Sequence, residues 1–394
     1  MRYIRIVTIV QPHMDKPSTQ TAENFTGSNK QGKHIICTVT TDLTYDQRMI
    51  RICNSLSLAG FKVTLIGRKL RSSVSLQAQP FQQKRLKVIF EKGKFFYVEY
   101  NIRLFFYLLT RKMDCICAID LDTILPCYFI SKIKNIKRVY DAHELFCEMK
   151  EIVSRPAIYK MWKKIERFTV SQFKAGYTVN EPIAKEFQKM YGVNYEIIRN
   201  IAVLRPLSDV TKKDKFILYQ GAVNEGRCFE TLIPAMQWVN CKLIICGDGN
   251  FMNQTQNLVK KYALENKVEF KGKISPDNLR NITRQAYIGI TLFENKGLSN
   301  YYSLANRFFD YLHAGIPQIG VNFPVYKIIN DKRPIAILLD DTSAKNVASQ
   351  LNNLLQNKVL YESLQQNCME VREIFNWQIE EKKLLQFYTN LFAN

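Results

Sequence analysis

Two runs of strand-then-helix alternation, one on each side of a polar break, constrain this chain more than any other feature of its 394 residues. The first run opens with HIICTVTT (34–41), a compact apolar strand signal. QRMIRICNSLSLAG (47–60) follows with apolar residues at helical spacing and a C-capping Gly60, and FKVTLIGR (61–68) is the next strand. A strongly apolar helix (95–109), strands CICAID (115–120) and RVYDAHE (138–144), a basic-faced helix (157–173), strand AGYTVN (175–180) and helix PIAKEFQKMYG (182–192) continue it. The break is RNIAVLRPLSDVTKKDK (199–215). The second run alternates strands KFILYQG, CKLIICGDG, VEFKG, YIGITLF, IPQIGV and AILLD with helices, and two helices close the chain. Such alternation implies parallel sheets covered by helices. The expected fold class is therefore α/β: two tandem Rossmann-like, doubly wound domains facing a central cleft. The expected division is an N-terminal extension (1–33), a first domain (34–205), a second (206–374) and a closing helix (375–394) that packs back toward the first.

Charge is placed unevenly. Of the formal +21, the part through Arg205 carries +17 and the remainder +4. A positive field attracts nucleic acid, an anionic membrane or an acidic substrate, and charge alone does not choose among them. No helix-turn-helix, zinc module or RNA-binding aromatic signature accompanies the basic residues, which disfavours nucleic acid. RPAIYKMWKKIERFTVSQFK (155–174) mixes Lys and Arg with Ile, Tyr, Trp and Phe, as a face resting on anionic lipid would; a solvated basic helix has the same composition. The ten cysteines are scattered, with no CxxC pair and no zinc spacing, and read as reduced thiols of a cytoplasmic protein. The start MRYIRIVTIVQPHMDK lacks a cleavage site, so it is not read as a signal peptide, and no apolar run reaches the length of a membrane span.

The chemistry concentrates in SLANRFFDYLHAGIP (303–317). Read as one helix, it aligns Ser303, Asn306, Arg307, Asp310 and His313 on one stripe, away from its aromatic residues. Ser303 is the expected N-cap, leaving first-turn amides that attract phosphate. Asp310 then falls about 10 Å along the helix, close to the span from a diphosphate to a ribose. A surface helix with one solvated face has the same pattern. LYQGAVNEGRCFETLIPAM adds Gly221 at a strand end, a loop with Asn224, and Arg227 just before a helix. Ligands of open α/β sheets sit beyond the carboxyl ends of the strands, and arginine grips phosphate bidentately.

Together with KLIICGDG, VEFKG, TDLTYDQRMIRICNSLSLAGFKVTLIGR and VYDAHELFCEM, these motifs resemble family-4 retaining glycosyltransferases with the GT-B fold, of the variety found in bacterial surface-polysaccharide synthesis. The resemblance covers residues 34–394. It implies transfer of a sugar, with retention, from a nucleotide-diphosphate sugar to a glycan or lipid-linked acceptor. Arg227 would hold the diphosphate and stabilise its charge, and Ser303 and Asn306 would add donors. Asp310 would hold the ribose, Gly221 would admit close backbone approach and His143 would reach the transferred sugar. Asn224 lies in the same donor-side loop. No metal and no further cofactor are implied, and the protein is expected in the cytoplasm, with possible contact to the inner membrane face through the basic first half. Two departures stand out: Tyr302 replaces the first acid of the family's two-acid motif, and Asp310 is an aspartate where a glutamate is usual. The loop TTDLTYDQR would line the acceptor side through Asp42, Tyr45, Asp46 or Arg48, unless these residues only cap and pair locally. A sugar-nucleotide epimerase, a non-catalytic sugar-nucleotide binder and a basic nucleic-acid binder are the other readings.

Overall fold

The computed structural model describes residues 32–44, 46–207 and 215–393. Most of the expected extension, Tyr45 and most of the lysine-rich part of the break lie outside the described residues. Among the described residues, thirteen strands form two sheets. The first contains β1 (His34–Thr38), β2 (Lys62–Lys69), β3 (Gln82–Lys87), β4 (Cys115–Ile119), β5 (Lys137–Ala142), β6 (Ala175–Thr178) and β7 (Glu196–Ile197) in the order β3-β2-β1-β4-β5-β6-β7. The second contains β8 (Phe216–Gln220), β9 (Lys242–Cys246), β10 (Val268–Gly272), β11 (Ile288–Thr291), β12 (Gln318–Val321) and β13 (Ala336–Leu339) in the order β10-β9-β8-β11-β12-β13. Every pairing is parallel.

The central strands are continuous apolar runs because helices cover both faces. All five residues of β4 are buried. In each sheet the order reverses next to the first strand, so β1/β4 and β8/β11 are the points where the chain switches direction. Ligand crevices form at such points, beyond the carboxyl ends of the strands. Both crevices open into one cleft of about 650 Å³ between the sheets.

Two connections join the units: one follows β7 and leads to β8, and the other precedes helix Trp377–Ala393. That helix packs on helix Gln47–Leu58 of the first unit. Trp377, Leu384 and Tyr388 join Ile35, Cys37 and Leu56 in one buried cluster. The Trp377 indole N–H donates to Ser55 Oγ at 3.1 Å, and Arg199 bridges Glu181 and the buried Glu380 at 2.6 and 3.3 Å. All ten cysteines are free, and nine are buried.

One expected element starts later than read. Within SLANRFFDYLHAGIP the helix runs only from Asn306 to His313 with Ala305 as its cap, and a separate short helix, Leu298–Tyr301, precedes the segment. Ser303 is therefore not the N-cap. Its own amide donates back to Asn300 O at 3.1 Å, closing the preceding turn.

Candidate active site

The cleft brings together residues from both strand-end clusters. His143, Asn306 and Asp310 line it, and so do Asp46, Arg48 and Asp122 from the first unit. Gly221, Asn224, Arg227 and Ser303 do not line this cavity. Asp310 is half-buried and accepts a hydrogen bond from Gln220 Nε2 at 2.8 Å. Burial pushes its carboxyl up to about 6, against the opposing pull of Gln220 and nearby Arg51. Ile274, Pro276 and Leu279 form an apolar wall in the same cavity.

Next to Asp310 along the helix, Arg307 turns inward and is buried. Its guanidinium lies 4.6 Å from the centre of the Phe293 ring, and that of Arg227 lies 4.3 Å from the same ring. Arg307 donates to Leu292 O at 3.3 Å, but its Nε is buried with no hydrogen-bond partner among the described residues. Burial and the neighbouring Arg307 lower the Arg227 pKa, the expected effect of two cations sharing a poorly solvated corner. Gly221 adopts φ of 121°, a conformation suited to glycine, and a Cβ there would meet Arg307 Nη1 at 3.5 Å. The backbone of the strand-end loop thus runs directly past this pair. At the start of the helix, the Ala305 amide donates to Tyr326 Oη at 3.0 Å, so that donor is already used inside the protein. The free first-turn donors follow Ala305, not Ser303. The Asn224 side-chain oxygen accepts from the Asn250 backbone amide at 3.1 Å, and the Asn250 side-chain oxygen accepts from the Glu225 backbone amide at 3.1 Å. Asn224 therefore clamps two loops together.

Across the cleft, His143 sits in a charged cage at the end of β5. Its Nδ1 lies 3.1 Å from Asp120 Oδ2, and its Nε2 lies 2.6 Å from Arg48 Nε and 3.4 Å from Asp141 Oδ2. With the ring neutral, Nδ1–H donates to Asp120 and Nε2 accepts from Arg48. Burial opposes a charge on the ring, but Asp120 and Asp141 outweigh it and raise the pKa to about 10. Charging the ring would place a second proton on Nε2, 3.4 Å from Asp141 Oδ2, and would require the Arg48 Nε–H, 2.6 Å away, to turn aside. Asp120 holds this residue twice, because its Oδ1 also accepts the His143 amide at 3.0 Å. It does so from a left-handed φ of 55°, unusual for a residue other than glycine. Burial pushes Asp141 up, yet Arg48, 2.7 Å away, and His143 hold it below the ordinary carboxylate range. Asp122, beside them, is pushed up to about 7 by burial and by Asp120.

Arg307, Gln220 and Asp120 were not among the residues expected to form the site. Gln220 and Asp120 end or follow strands, and the strand-end rule points to such positions. Arg307 was placed on the outward stripe, and helical spacing alone cannot tell that it turns inward. Of the residues expected to line an acceptor side, Asp42 is engaged locally with Thr44, and Asp46 caps its helix by accepting from Met49 N at 3.1 Å. Arg48 reaches the His143 cage. No group of three or more residues able to hold a metal occurs among the described residues.

Paired parallel α/β units facing across a cleft, with the switch points of both sheets at its rim, define the GT-B fold of glycosyltransferases. Residues 204–370, the greater part of the second unit, match the family described as Glycosyl transferases group 1. Among solved structures, sucrose-phosphate synthase from Thermosynechococcus elongatus is similar at a TM-score of 0.76 and 17% identity, over 92% of this chain and 99% of that one. Anabaena Alr3699/HepE, in complex with UDP and glucose, gives 0.71 and 11% over 91% and 100%. WaaG, a glycosyltransferase involved in lipopolysaccharide biosynthesis, gives 0.69 and 14% over 89% and 98%. At these identities the likeness establishes the fold. No curated protein matches the chain in sequence.

Proposed function

We propose that this protein transfers a sugar, with retention of anomeric configuration, from a nucleoside-diphosphate sugar to a glycan or lipid-linked acceptor in surface-polysaccharide synthesis. The observation that carries this reading is the Arg227–Arg307 pair on the Phe293 ring, with one buried N–H left without a partner. Two poorly solvated cations on one ring are stabilised by an anion that reaches them. A diphosphate supplies one, and its charge grows as the glycosidic bond breaks. Fixed donors aimed at that charge lower the barrier. Asp310 then accepts from the ribose, and the wall of Ile274, Pro276 and Leu279 takes the flat base. Asn306, exposed at the helix start, faces the phosphates or the sugar. Gly221 permits the backbone approach, while Asn224 and Ser303 act by holding the loops. Complexes of HepE with UDP-glucose and UDP support a uridine nucleotide as the first donor to try.

The first unit takes the acceptor. His143, held by Asp120, Asp141 and Arg48, positions the transferred sugar and answers the positive character of its ring with the surrounding carboxylates. The leaving phosphate accepts the proton of the attacking hydroxyl, so no side-chain nucleophile is needed.

A thermal-shift panel of UDP-, GDP-, dTDP- and CMP-sugars tests the donor, because a ligand that binds only the folded form raises the melting temperature. Turnover with the selected donor and an acceptor extract is then expected to release nucleoside diphosphate. Arg227→Ala and Arg307→Ala are each expected to lower that turnover by about 10²–10³-fold, the effect of removing one charge-stabilising donor. A panel with no shift would overturn the donor reading. Conversion of donor to an isomeric sugar nucleotide without acceptor would replace transfer by epimerisation.

A further inference from the structure

We propose that the cleft holds a second anion subsite, formed by Arg51, Arg205 and Arg280 beside Asp310, which takes a phosphate group other than the donor's diphosphate. Its use in turnover rests on the transferase reading, but the subsite and its binding test do not.

The diphosphate pair does not account for the cations of the cleft. Arg227 and Arg307 do not line the cavity, yet Arg48, Arg51, Arg205, Arg280 and Arg284 do. Arg48 is engaged by Asp141 at 2.7 Å and belongs to the His143 cage. The other four come from three directions. Arg51 stands on helix Gln47–Leu58 of the first unit, and Arg205 on the connection between β7 and β8. Arg280 and Arg284 lie one turn apart on helix Pro276–Gln285 of the second unit.

These groups are short of counter-charge. The only hydrogen bond of the Arg51 guanidinium among the described residues runs from Nη2 to Asn200 Oδ1 at 2.6 Å, and its Nε is buried with no partner. The guanidinium carbon lies 5.6 Å from the centre of the Trp377 ring, which holds it in place without neutralising it. The carboxylates that favour its charge, Asp310 and Asp46, are engaged elsewhere, Asp310 by Gln220 and Asp46 by Thr41 and the Met49 amide. Burial and the neighbouring Arg48 lower the Arg51 pKa to about 10, and burial and the neighbouring Arg205 lower that of Arg280. Arg280 pairs with Asp277 at 3.2 Å, but that carboxylate is 83% exposed and the pair is weak in water. The other cavity acids do not offset the excess: Asp120 is paired with His143, and burial disfavours the charge of Asp122.

The arrangement selects the ligand. A buried guanidinium N–H without an acceptor is costly, and a bound anion removes that cost. A carboxylate offers two oxygens in one plane, which suit one or two guanidinium forks. A phosphate group offers three terminal oxygens in a tetrahedral arrangement and can accept from all three directions at once. Because its donors belong to the first unit, the connection and the second unit, it also bridges the two units beside the ribose position. The phosphate arrives either on the acceptor or as a free small molecule.

The binding test is a thermal shift of the full chain with inorganic phosphate, against sodium chloride at equal ionic strength. A saturable rise in melting temperature is expected in wild type and in Arg227→Ala, where it comes from a site other than the diphosphate pair. In the Arg227→Ala background, Arg51→Gln, Arg280→Gln and Arg205→Gln are each expected to weaken phosphate binding about tenfold or more, the effect of one charged hydrogen bond. Arg205 is exposed, so its variant reads binding even where Arg51→Gln lowers the melting temperature by itself. Turnover distinguishes the sources: phosphate competing with acceptor marks an acceptor-borne group, and phosphate altering turnover at saturating acceptor marks a free ligand. No saturable shift, an equal shift in chloride, loss of the shift in Arg227→Ala, or a full shift in all three glutamine variants would each overturn the proposal. So would phosphate that saturates the shift without affecting turnover, which is adventitious binding only. Absence of a nucleotide-sugar shift in wild type would instead count against the donor reading alone.

Discussion

Asp310 illustrates how the environment of one residue sets a testable pH dependence. Its carboxyl titrates near 6 in the folded protein, above its ordinary value of 3.8. The folded state therefore binds the proton more tightly than the unfolded state does. Stability from this group is fullest below about 4 and falls as pH rises through about 6. On the proposed ribose role of Asp310, donor binding has the opposite sign, because the ionised carboxylate is the better acceptor for ribose hydroxyls. Titration calorimetry with a nucleoside-diphosphate sugar, whose diphosphate does not change charge in this range, is expected to show affinity rising from pH 5 to 7, with a midpoint near 6. Asp310→Asn should bind more weakly and nearly independently of pH. An unchanged profile in that variant would remove Asp310 from the ribose site. The residue types at 227, 306 and 310 were enough to suggest a phosphate and ribose site from sequence. The inward turn of Arg307 was not, because it depends on Phe293 and Tyr219 from other strand ends.

The elements were legible where apolar runs or caps were strong, and illegible where they were not. VEFKG became β10 as read, and Gly60 and Gly192 end their helices. β3 escaped notice because an edge strand reading Gln-Gln-Lys-Arg-Leu-Lys has a single apolar residue, Leu86, and β7 because it has two residues. The helix start was misplaced for a different reason. Serine is a good cap by propensity, but here Ser303 closes the preceding turn, and the helix is capped two residues later at Ala305, whose own amide donates to Tyr326. Tyr326→Phe should leave that amide unpaired and cost about 1–2 kcal/mol. Urea unfolding of the variant measures the loss, and an unchanged midpoint would mean that water replaces the phenol.

At the scale of the whole molecule, the cleft depends on how the two units are joined. Arg199 lies on one crossing and Glu380 beyond the other, and their ion pair ties the crossings together. The closing helix buries Leu384 completely among residues of the first sheet. Leu384→Ala is expected to cost about 2–5 kcal/mol, read as a lower melting temperature, while the affinity of the nucleotide side stays near wild type. Equal loss in stability and nucleotide affinity would indicate that the helix also shapes the cleft. Tandem α/β units were readable from alternation alone. Their mutual orientation was not, because it rests on a few contacts such as Asn180 Nδ2 to Tyr302 O at 2.8 Å, distant in sequence.

The shared cluster of Trp377, Leu384 and Tyr388 with Ile35 and Cys37 also sets an order of events during synthesis. The first half emerges from the ribosome with the groove for its last helix still open, and that groove stays wet until the second half has been made. The earliest-made unit is consequently the last to be sealed, and an interruption just before Trp377 would leave the second half made and the first unsealed.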